Sequence, residues 1–323
     1  MGRHSGDDYV SPHKIRKKEG GITLKINKLE RRKKVMGYFF LIPSFFFLAV
    51  FLIYPMIKSM VMSFTDWNGF NPDYQWVGLK NYVNLFTDTP AYWSSIKINL
   101  IFAVVSTAIQ TALGFLLAFA VYHMTAGWQK FYKVSLYIPV ILPASVIAVM
   151  WRFMLSPDTG LVNNILRLIG LDFLCHAWVG ENATALGTVI AVNTWQYVGF
   201  TMVLYYIAMQ NIPLDILESA EIDGAGRWQK LRYFFLPLTA GTTETNVILS
   251  ITGGMKSFAL FYMLTGGGPG TATRVVSMLI YDTAFMDYKF YKALTMSTVL
   301  FGIILTLVLL GRWLGSRRNR VGG

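Results

Sequence analysis

Five residues in the second half of the chain have side chains suited to holding a polar ligand. They are Trp195, Tyr197, Lys256, Ser257 and Tyr262. Their rings offer faces for stacking, and their hydroxyl and ammonium groups offer hydrogen bonds, although ordinary packing would account for Trp195 or Tyr197 taken singly. Lys256 lies within an apolar stretch, where a lysine costs about 2.5–3.5 kcal/mol on insertion scales. An anionic ligand, an acid of another subunit, or extension of the side chain towards the interface would each compensate this cost.

Residues that would support catalysis or metal binding are scattered along the sequence. The four histidines are dispersed, and Cys175 and His176 form an adjacent pair without a third ligand. The sequence contains no H-E-x-x-H pair, no G-x-S-x-G elbow and no G-x-x-x-x-G-K-[ST] phosphate loop. We therefore expect no catalytic residue, no metal site and no cofactor bound by this chain, so that any ATP must be handled by a partner.

The segment 211–238, NIPLDILESAEIDGAGRWQKLRYFFLPL, predicts a helix, a turn and a second helix. Pro213 suits the first turn of a helix, and apolar residues then recur at helical spacing. Gly224 interrupts this pattern. A second short helix is expected from Arg227 until Pro237 ends it. Such a compact amphipathic pair is suited to docking on another protein.

Composition identifies the chain as an all-α integral membrane protein. Apolar residues make up 54% of the 323 residues and charged residues 14%. A helix needs about 20 apolar residues to cross a bilayer. The runs that reach this length predict about six transmembrane helices, near residues 37–63, 96–122, 133–155, 185–209, 238–263 and 293–315. Polar residues interrupt the fifth run, so we expect it to face protein or water.

The distribution of charge predicts the domain organisation and the orientation. A basic N-terminal tail, residues 1–36, precedes a transmembrane domain, 37–315, and a short C-terminal tail, 316–323. With the N-terminus in the cytoplasm, the internal segments carry twenty Lys and Arg against five outside. Both termini are therefore expected to be cytoplasmic. The basic tail suits a lipid bilayer with anionic headgroups rather than nucleic acid, because it offers no folded basic face.

The loop between the fourth and fifth predicted spans carries a spaced motif. Its residues are Glu218, Ser219, Ala220, Asp223, Gly224, Ala225, Leu236 and Pro237. At these positions the loop resembles the EAA loop of importers of the ATP-binding cassette class: Glu-Ala-Ala, three residues, Gly, and a later Leu-Pro. Ser219 departs mildly from that pattern by replacing the second Ala. The resemblance implies that the loop forms coupling helices, which sit in a cleft of an ATPase subunit.

Three further segments narrow the resemblance to sugar permeases of the maltose-transporter type. They are FFLIPSFFFLAVFLIYPMIKSMVMSFTDW, WVGLKNYVNLF and TGGGPGTATRVVSMLIYDTAF. The resemblance implies the fold of a type I importer permease in a bacterial cytoplasmic membrane. It also implies a second homologous permease, two ATPase subunits that bind ATP and Mg²⁺, an extracytoplasmic solute-binding protein and an oligosaccharide substrate. The spans on either side of the EAA-like loop would line the sugar path.

A secondary transporter or channel subunit and a membrane-embedded enzyme are the alternatives. A secondary carrier would show mid-membrane ionisable relays and internal repeats, but Lys256 is the one clear mid-span cation and no repeat is evident. The EAA-like loop has no role in either alternative and favours the importer permease. Since permeases of the maltose type often have neutral polar residues near Lys256, this lysine predicts an acidic, uronate-containing oligosaccharide.

Overall fold

The computed structural model describes Met36, Phe39 and residues 41–321, without the side chains of residues 314 and 316–321. The predicted N-terminal tail, apart from Met36, and the last two residues of the predicted C-terminal tail lie outside this part of the chain. The chain divides into two compact units, Met1–Val61 and Met62–Gly323.

The regular secondary structure between residues 41 and 321 is helical. The helices are α1 Leu41–Met62, α2 Lys80–Thr87, α3 Pro90–Tyr122, α4 Ala126–Ile141, α5 Ala144–Met154, α6 Leu161–Leu168, α7 Asn182–Gln210, α8 Leu214–Ile222, α9 Arg227–Lys230, α10 Ala240–Met255, α11 Ala259–Leu264, α12 Val276–Met286 and α13 Phe290–Val321. An isolated antiparallel bridge joins Thr65 and Trp76, and residues 41–321 contain no strand. The predicted all-α class is confirmed.

The helices long enough to cross a membrane coincide with the predicted apolar runs. By length and composition, α1, α3 and α13 are each long and apolar enough to cross a membrane. The bent pairs α4–α5 and α7–α8 are long and apolar enough when each pair is counted as one span. The fifth predicted run forms α10 and α11, which are separated by residues 256–258. Within residues 41–321, five of the about six predicted runs therefore meet this criterion, and the third and fifth runs are broken within their length.

The third predicted span, 133–155, is not one helix, which corrects the sequence-based expectation. The chain bends by 98° between α4 and α5, and Leu142 is extended, with φ −75° and ψ 138°. Pro143 explains the break, because proline disfavours the helical conformation in the residue before it. Gln196 Nε2 of α7 donates a hydrogen bond to the Leu142 carbonyl at 3.2 Å. This bond satisfies an acceptor that the break removes from the helical pattern.

The second unit is built around the packing of α3 against α7, with α4 and α10 beside them. Close approaches occur at small residues: Gly114 of α3 lies against Thr201 of α7, and Gly199 of α7 lies against the backbone of α4. Membrane helices commonly associate through such small residues, because they allow dispersion contacts between backbones. Asn246 of α10 adds a polar contact, since its amide joins Thr111 and Thr201 at 3.0 and 3.1 Å.

A short helix, α12, follows the glycine-rich segment after α11. Asn99 Oδ1 accepts a hydrogen bond from the first backbone N–H of α12, at Val276, over 2.8 Å. Ser277 Oγ donates to the carbonyl of Ser257 at 2.5 Å. These bonds fix α12 against α3 and against the break in the fifth span. Because α12 is too short to span a bilayer, a search for long apolar runs could not identify it.

Candidate functional site

A cavity of about 530 Å³ lies where α7 faces the break between α10 and α11. Three of the predicted ligand-binding residues, Tyr197, Lys256 and Ser257, line it. The other polar residues of its wall are Gln110, Asn193, Thr201 and Ser250. The rest of the wall is apolar, and an apolar cavity with a few convergent polar groups is typical of small-molecule sites.

One face of α7 supplies much of the cavity wall. Asn193, Tyr197 and Thr201 are four residues apart, so they lie above one another on the helix. Trp195 falls between them in sequence and on another face, where its ring meets Trp151 edge to face at 5.5 Å. The structure therefore brings Tyr197 to the cavity and leaves Trp195 outside its wall.

Lys256 occupies the break in the fifth span. Its backbone N–H bonds to the carbonyl of Gly253 at 3.2 Å and closes α10. Gly254 packs against Ala103 of α3, and its carbonyl accepts a hydrogen bond from Asn99 Nδ2 at 3.1 Å. The polar contact from α3 thus holds the break in position. The carbonyl end of α10 carries partial negative charge, which favours a cation at this position.

No carboxylate lines the cavity among the described residues, and no ion pair of Lys256 is present in that part of the chain. The lysine side chain is exposed within the second unit. Its ammonium group is therefore available to an anionic group that this portion of the chain does not supply.

Tyr262, also predicted to bind the ligand, lies next to the cavity rather than in its wall. Its ring stacks on Phe258 with centroids 5.1 Å apart and planes at 20°, and Phe258 lines the cavity. Ser257 is in the wall, and its carbonyl anchors α12 as described above.

Four polar residues of the cavity wall were missed in the sequence, and two of them form a hydrogen bond with each other. Gln110 Nε2 of α3 donates to Asn193 Oδ1 of α7 at 2.7 Å. Both amides lie within apolar runs of the sequence. Polar residues at membrane depth usually face a cavity or a partner, so their position in these runs could have indicated them. Only the packing of α3 against α7 shows that they meet.

The predicted helix, turn and helix of the EAA-like loop are present. Gly224 ends α8 with φ +79°, a left-handed conformation that glycine adopts without strain. The Ala225 N–H bonds to the Ala220 carbonyl at 2.9 Å. Lys230 Nζ meets Glu221 Oε2 at 3.0 Å and joins the two helices across the turn.

The second helical stretch ends at Leu238, one residue beyond the end predicted at Pro237. The chain continues from α9 through a π-helical turn, Leu231–Phe235, and a further helical turn, Leu236–Leu238, to Thr239. Proline has no N–H to donate, and the wider π turn before it accommodates this missing donor.

The loop residues divide into an anchored set and an exposed set. Leu217, Leu231 and Phe235 are buried in a cluster that includes Phe115, Tyr205 and Met209 of α3 and α7. The exposed residues of the motif are Glu218, Ser219, Asp223, Gly224, Leu236 and Pro237, whereas Ala220 is buried and Ala225 half-buried. Ile222 is 88% exposed and Trp228 70% exposed. Other described residues therefore leave both apolar side chains largely uncovered.

Comparison with known proteins identifies relatives along most of the chain. Residues 110–320 match the family described as binding-protein-dependent transport system inner membrane component. The chain is 36% identical over 280 residues to the probable ABC transporter permease protein YurN of Bacillus subtilis (strain 168), covering 86% of this chain and 95% of the relative. It is 32% identical over 275 residues to the diacetylchitobiose uptake system permease protein NgcF of Streptomyces coelicolor, covering 81% and 78%.

A solved structure is similar over a comparable length. It is a chain of a bacterial ABC transporter involved in the import of the acidic polysaccharide alginate. The similarity has a TM-score of 0.77 and a sequence identity of 26%, and covers 91% of this chain and 99% of the other.

Proposed function

Because this chain belongs to the family of binding-protein-dependent transport system inner membrane components, we propose that it is the permease subunit of an ATP-driven importer of an acidic oligosaccharide. The family decides against the alternatives of a secondary transporter or channel and an embedded enzyme. Permease subunits are not enzymes themselves, so ATP binding and hydrolysis are assigned to separate subunits with their Mg²⁺.

The observation that supports an acidic substrate is the position of Lys256 in the wall of the cavity. A lysine at membrane depth requires a compensating anion or water. The described part of the cavity wall supplies no carboxylate for it. A uronate carboxylate would form a charge-assisted hydrogen bond with this ammonium group, while Tyr197 and the amides Gln110 and Asn193 would contact the neutral parts of the sugar.

The similar proteins support a carbohydrate as the substrate, and one of them supports an acidic carbohydrate. The relative from Streptomyces coelicolor is named for diacetylchitobiose uptake, and the similar solved structure belongs to an alginate importer. Permeases of one fold can carry different compounds. The charge of the substrate is therefore argued from Lys256, and the carbohydrate class from the relatives.

The EAA-like loop, which we call the coupling loop in this proposal, packs against α7, and α7 also lines the cavity. This common contact gives a mechanical basis for alternating access. Leu217 and Phe235 of the loop pack against Met209 near the end of α7, and Tyr197 lies further along the same helix. In the proposed mechanism, an ATPase subunit binds the exposed motif residues Glu218, Ser219, Asp223 and Gly224. Its closure then moves α8 and α9, and α7 transmits this movement to the cavity wall.

The complete importer in this proposal contains a second homologous permease, two ATPase subunits and an extracytoplasmic solute-binding protein. The chain would lie in a bacterial inner membrane with both termini in the cytoplasm, because that orientation keeps most Lys and Arg inside. A reporter fused after Gly323 that is active only in the cytoplasm is the expected result. Activity only outside the cell would contradict this topology.

Uptake by the assembled complex in vesicles tests the substrate assignment. The native complex should import an alginate pentasaccharide and discriminate against maltopentaose. Lys256→Gln should lower uptake of the acidic probe and its stimulation of ATP hydrolysis at least about tenfold, equivalent to about 1.4 kcal/mol, while the complex still assembles. Lys256→Arg, which keeps the charge, should retain more activity, and Lys80→Gln on α2 is the control for loss of a lysine elsewhere.

Two results would overturn the assignment. Normal uptake of the alginate probe by Lys256→Gln would remove the lysine from the site, and uptake of only the neutral probe by the native complex would exclude an acidic substrate. Poor assembly of Lys256→Gln would instead indicate an ion pair with another subunit.

A further inference from the structure

Six aromatic rings form a continuous line that starts at the cavity. We name this line the aromatic track. Its members are Phe258, Tyr262, Tyr281, Phe285, Phe290 and Phe70. The residues come from four separate segments of the chain, so no sequence pattern displays them as a set.

Each ring of the track contacts the next. Phe258, in the cavity wall, lies 5.4 Å from Tyr281 between ring centroids, and Tyr281 lies 5.3 Å from Phe285. Phe290 is 5.7 Å from both Phe285 and Phe70. These separations are those of direct aromatic contact. The line therefore has no gap between the cavity wall and Phe70.

The track runs towards the end of the helix bundle that is remote from the coupling loop. Gly315, near the end of α13, lies against Glu244, near the start of α10, and Gly311 one turn earlier lies against Ile248 one turn later. The two helices are consequently antiparallel, and Phe290 at the start of α13 lies at the end of the bundle away from the first turn of α10. The coupling loop adjoins that first turn through Thr239.

Specific contacts fix the rings in position. Arg274 and Asp282 form an ion pair of 2.6 Å beside Tyr281, and Asn99 holds the first residue of α12. Gly69 has φ +94° and lies directly against the ring of Phe290, where a side chain would overlap it. The outer part of the track thus depends on a glycine that leaves space for an aromatic ring.

The track is accessible within the second unit, and it offers polar groups as well as ring faces. Tyr262, Phe285 and Phe70 are 41%, 54% and 66% exposed. The hydroxyls of Tyr262 and Tyr281 make no hydrogen bond to other described residues. Sugar rings present C–H groups on their faces and hydroxyls at their edges. Exposed aromatic faces with free phenolic hydroxyls match both features.

We propose that the aromatic track is an extended binding path on which successive rings of an oligosaccharide stack as the chain enters the cavity. This proposal rests on the carbohydrate assignment made above. A sugar is favoured over lipid as the occupant because the track is continuous with the polar cavity through Phe258. Lipid contact would require neither that continuity nor free hydroxyls.

The sequence contains a single cysteine, so replacing it removes the background in a thiol-labelling test. In a Cys175→Ser background, Phe285→Cys and Tyr262→Cys place one thiol each on the track, and Phe301→Cys on α13 is the control. Phe301 is also exposed, at 40%, but is not a member of the track. The complete complex, reconstituted in vesicles, is treated with a charged, membrane-impermeant methanethiosulfonate reagent, with and without the alginate pentasaccharide or maltopentaose and the solute-binding protein.

We expect the thiols on the track to react at least about tenfold faster than the thiol at position 301, because a water-filled path admits a charged reagent and lipid does not. The imported pentasaccharide should slow the reaction at both track positions. Labelling of Phe285→Cys as slow as that of Phe301→Cys would overturn the track as a path, because lipid or the second permease would then cover it.

Uptake in the same vesicles separates failure of the track from failure of the proposed function. If a pentasaccharide is imported but does not slow labelling of the track thiols, the proposed binding path is wrong and the proposed function stands. Import of neither probe overturns the carbohydrate assignment, and the track with it.

A second variant tests the path without labelling. Phe285→Leu keeps an apolar side chain and removes a stacking face. It should lower uptake of the imported pentasaccharide about fivefold, equivalent to about 1 kcal/mol of ring contact, and should affect a disaccharide of the same sugar less. Equal effects on both lengths would contradict an extended path.

Discussion

Gly199 of α7 lies directly against the carbonyl oxygen of Leu136 in α4. The backbones of the two helices meet at this point, with no room for even a methyl group. One turn earlier on α7, Gln196 bonds to the carbonyl of Leu142 at the break in the third span. The same face of α7 therefore sets the distance to α4 and supports the break.

Gly199→Ala should destabilise the permease by at least about 1–3 kcal/mol, because an added methyl group would force the helices apart. Gly187→Ala is the matched control, since a Cβ at Gly187 on the same helix would meet no atom within 4 Å. Thermal unfolding of the two purified variants provides the measurement. A Gly199→Ala protein as stable as Gly187→Ala would show that the helices separate at little cost.

Asn246→Leu should lower stability by about 1–2 kcal/mol. It removes two hydrogen bonds that join α10 to α3 and α7, and each such bond in a membrane protein contributes about 0.6 kcal/mol on average, with a maximum near 1.7. Thr245→Val is the control, because the exposed Thr245 hydroxyl bonds only within its own helix, to the Gly241 carbonyl. Denaturant titration of both variants tests this, and equal midpoints would contradict a role for Asn246 in joining the helices.

Gly224→Asp should abolish most substrate-stimulated ATP hydrolysis or release the ATPase. The position is left-handed, so an ordinary side chain costs about 1–2 kcal/mol of strain, although Asn and Asp tolerate this region better than most residues. Gly224→Asn therefore controls for conformation, and the difference between the two variants reports the added charge. Because a side chain here would point into open space in this subunit, full activity of Gly224→Asp would exclude contact with the ATPase.

Tyr197→Ala should reduce substrate uptake strongly, and Trp195→Ala should leave uptake near the native level at equal amounts of complex. The two rings are similarly exposed, at 37% and 39%, but only Tyr197 lines the cavity. Each variant thus controls for the other in size and exposure. Initial uptake rates, normalised to assembled complex, distinguish them. Equal loss in both variants would mean that the pathway extends to the face of α7 that carries Trp195.

The sequence by itself determined the class of protein, the approximate spans and the two helices of the EAA-like loop. These features are local. A membrane-spanning segment must satisfy its own backbone hydrogen bonds and be apolar over its length, so hydropathy alone identifies it. The loop between Pro213 and Pro237 could be predicted as two short helices because proline, glycine and helical periodicity act within a few residues. The helical stretch ends at Leu238, within one residue of the end predicted at Pro237, although a π turn precedes the proline.

Tertiary structure decided which side chains meet. Trp195 and Tyr197 have similar chemistry in the sequence, and only the packing of α7 assigns Tyr197 to the cavity. The break at Leu142 is stabilised by a residue 54 positions away, and the aromatic track joins rings from four segments. Hydropathy records how apolar a residue is and carries no information about the direction in which it faces. That direction follows from close contacts between helices, such as the one at Gly199, which are formed only in the folded chain.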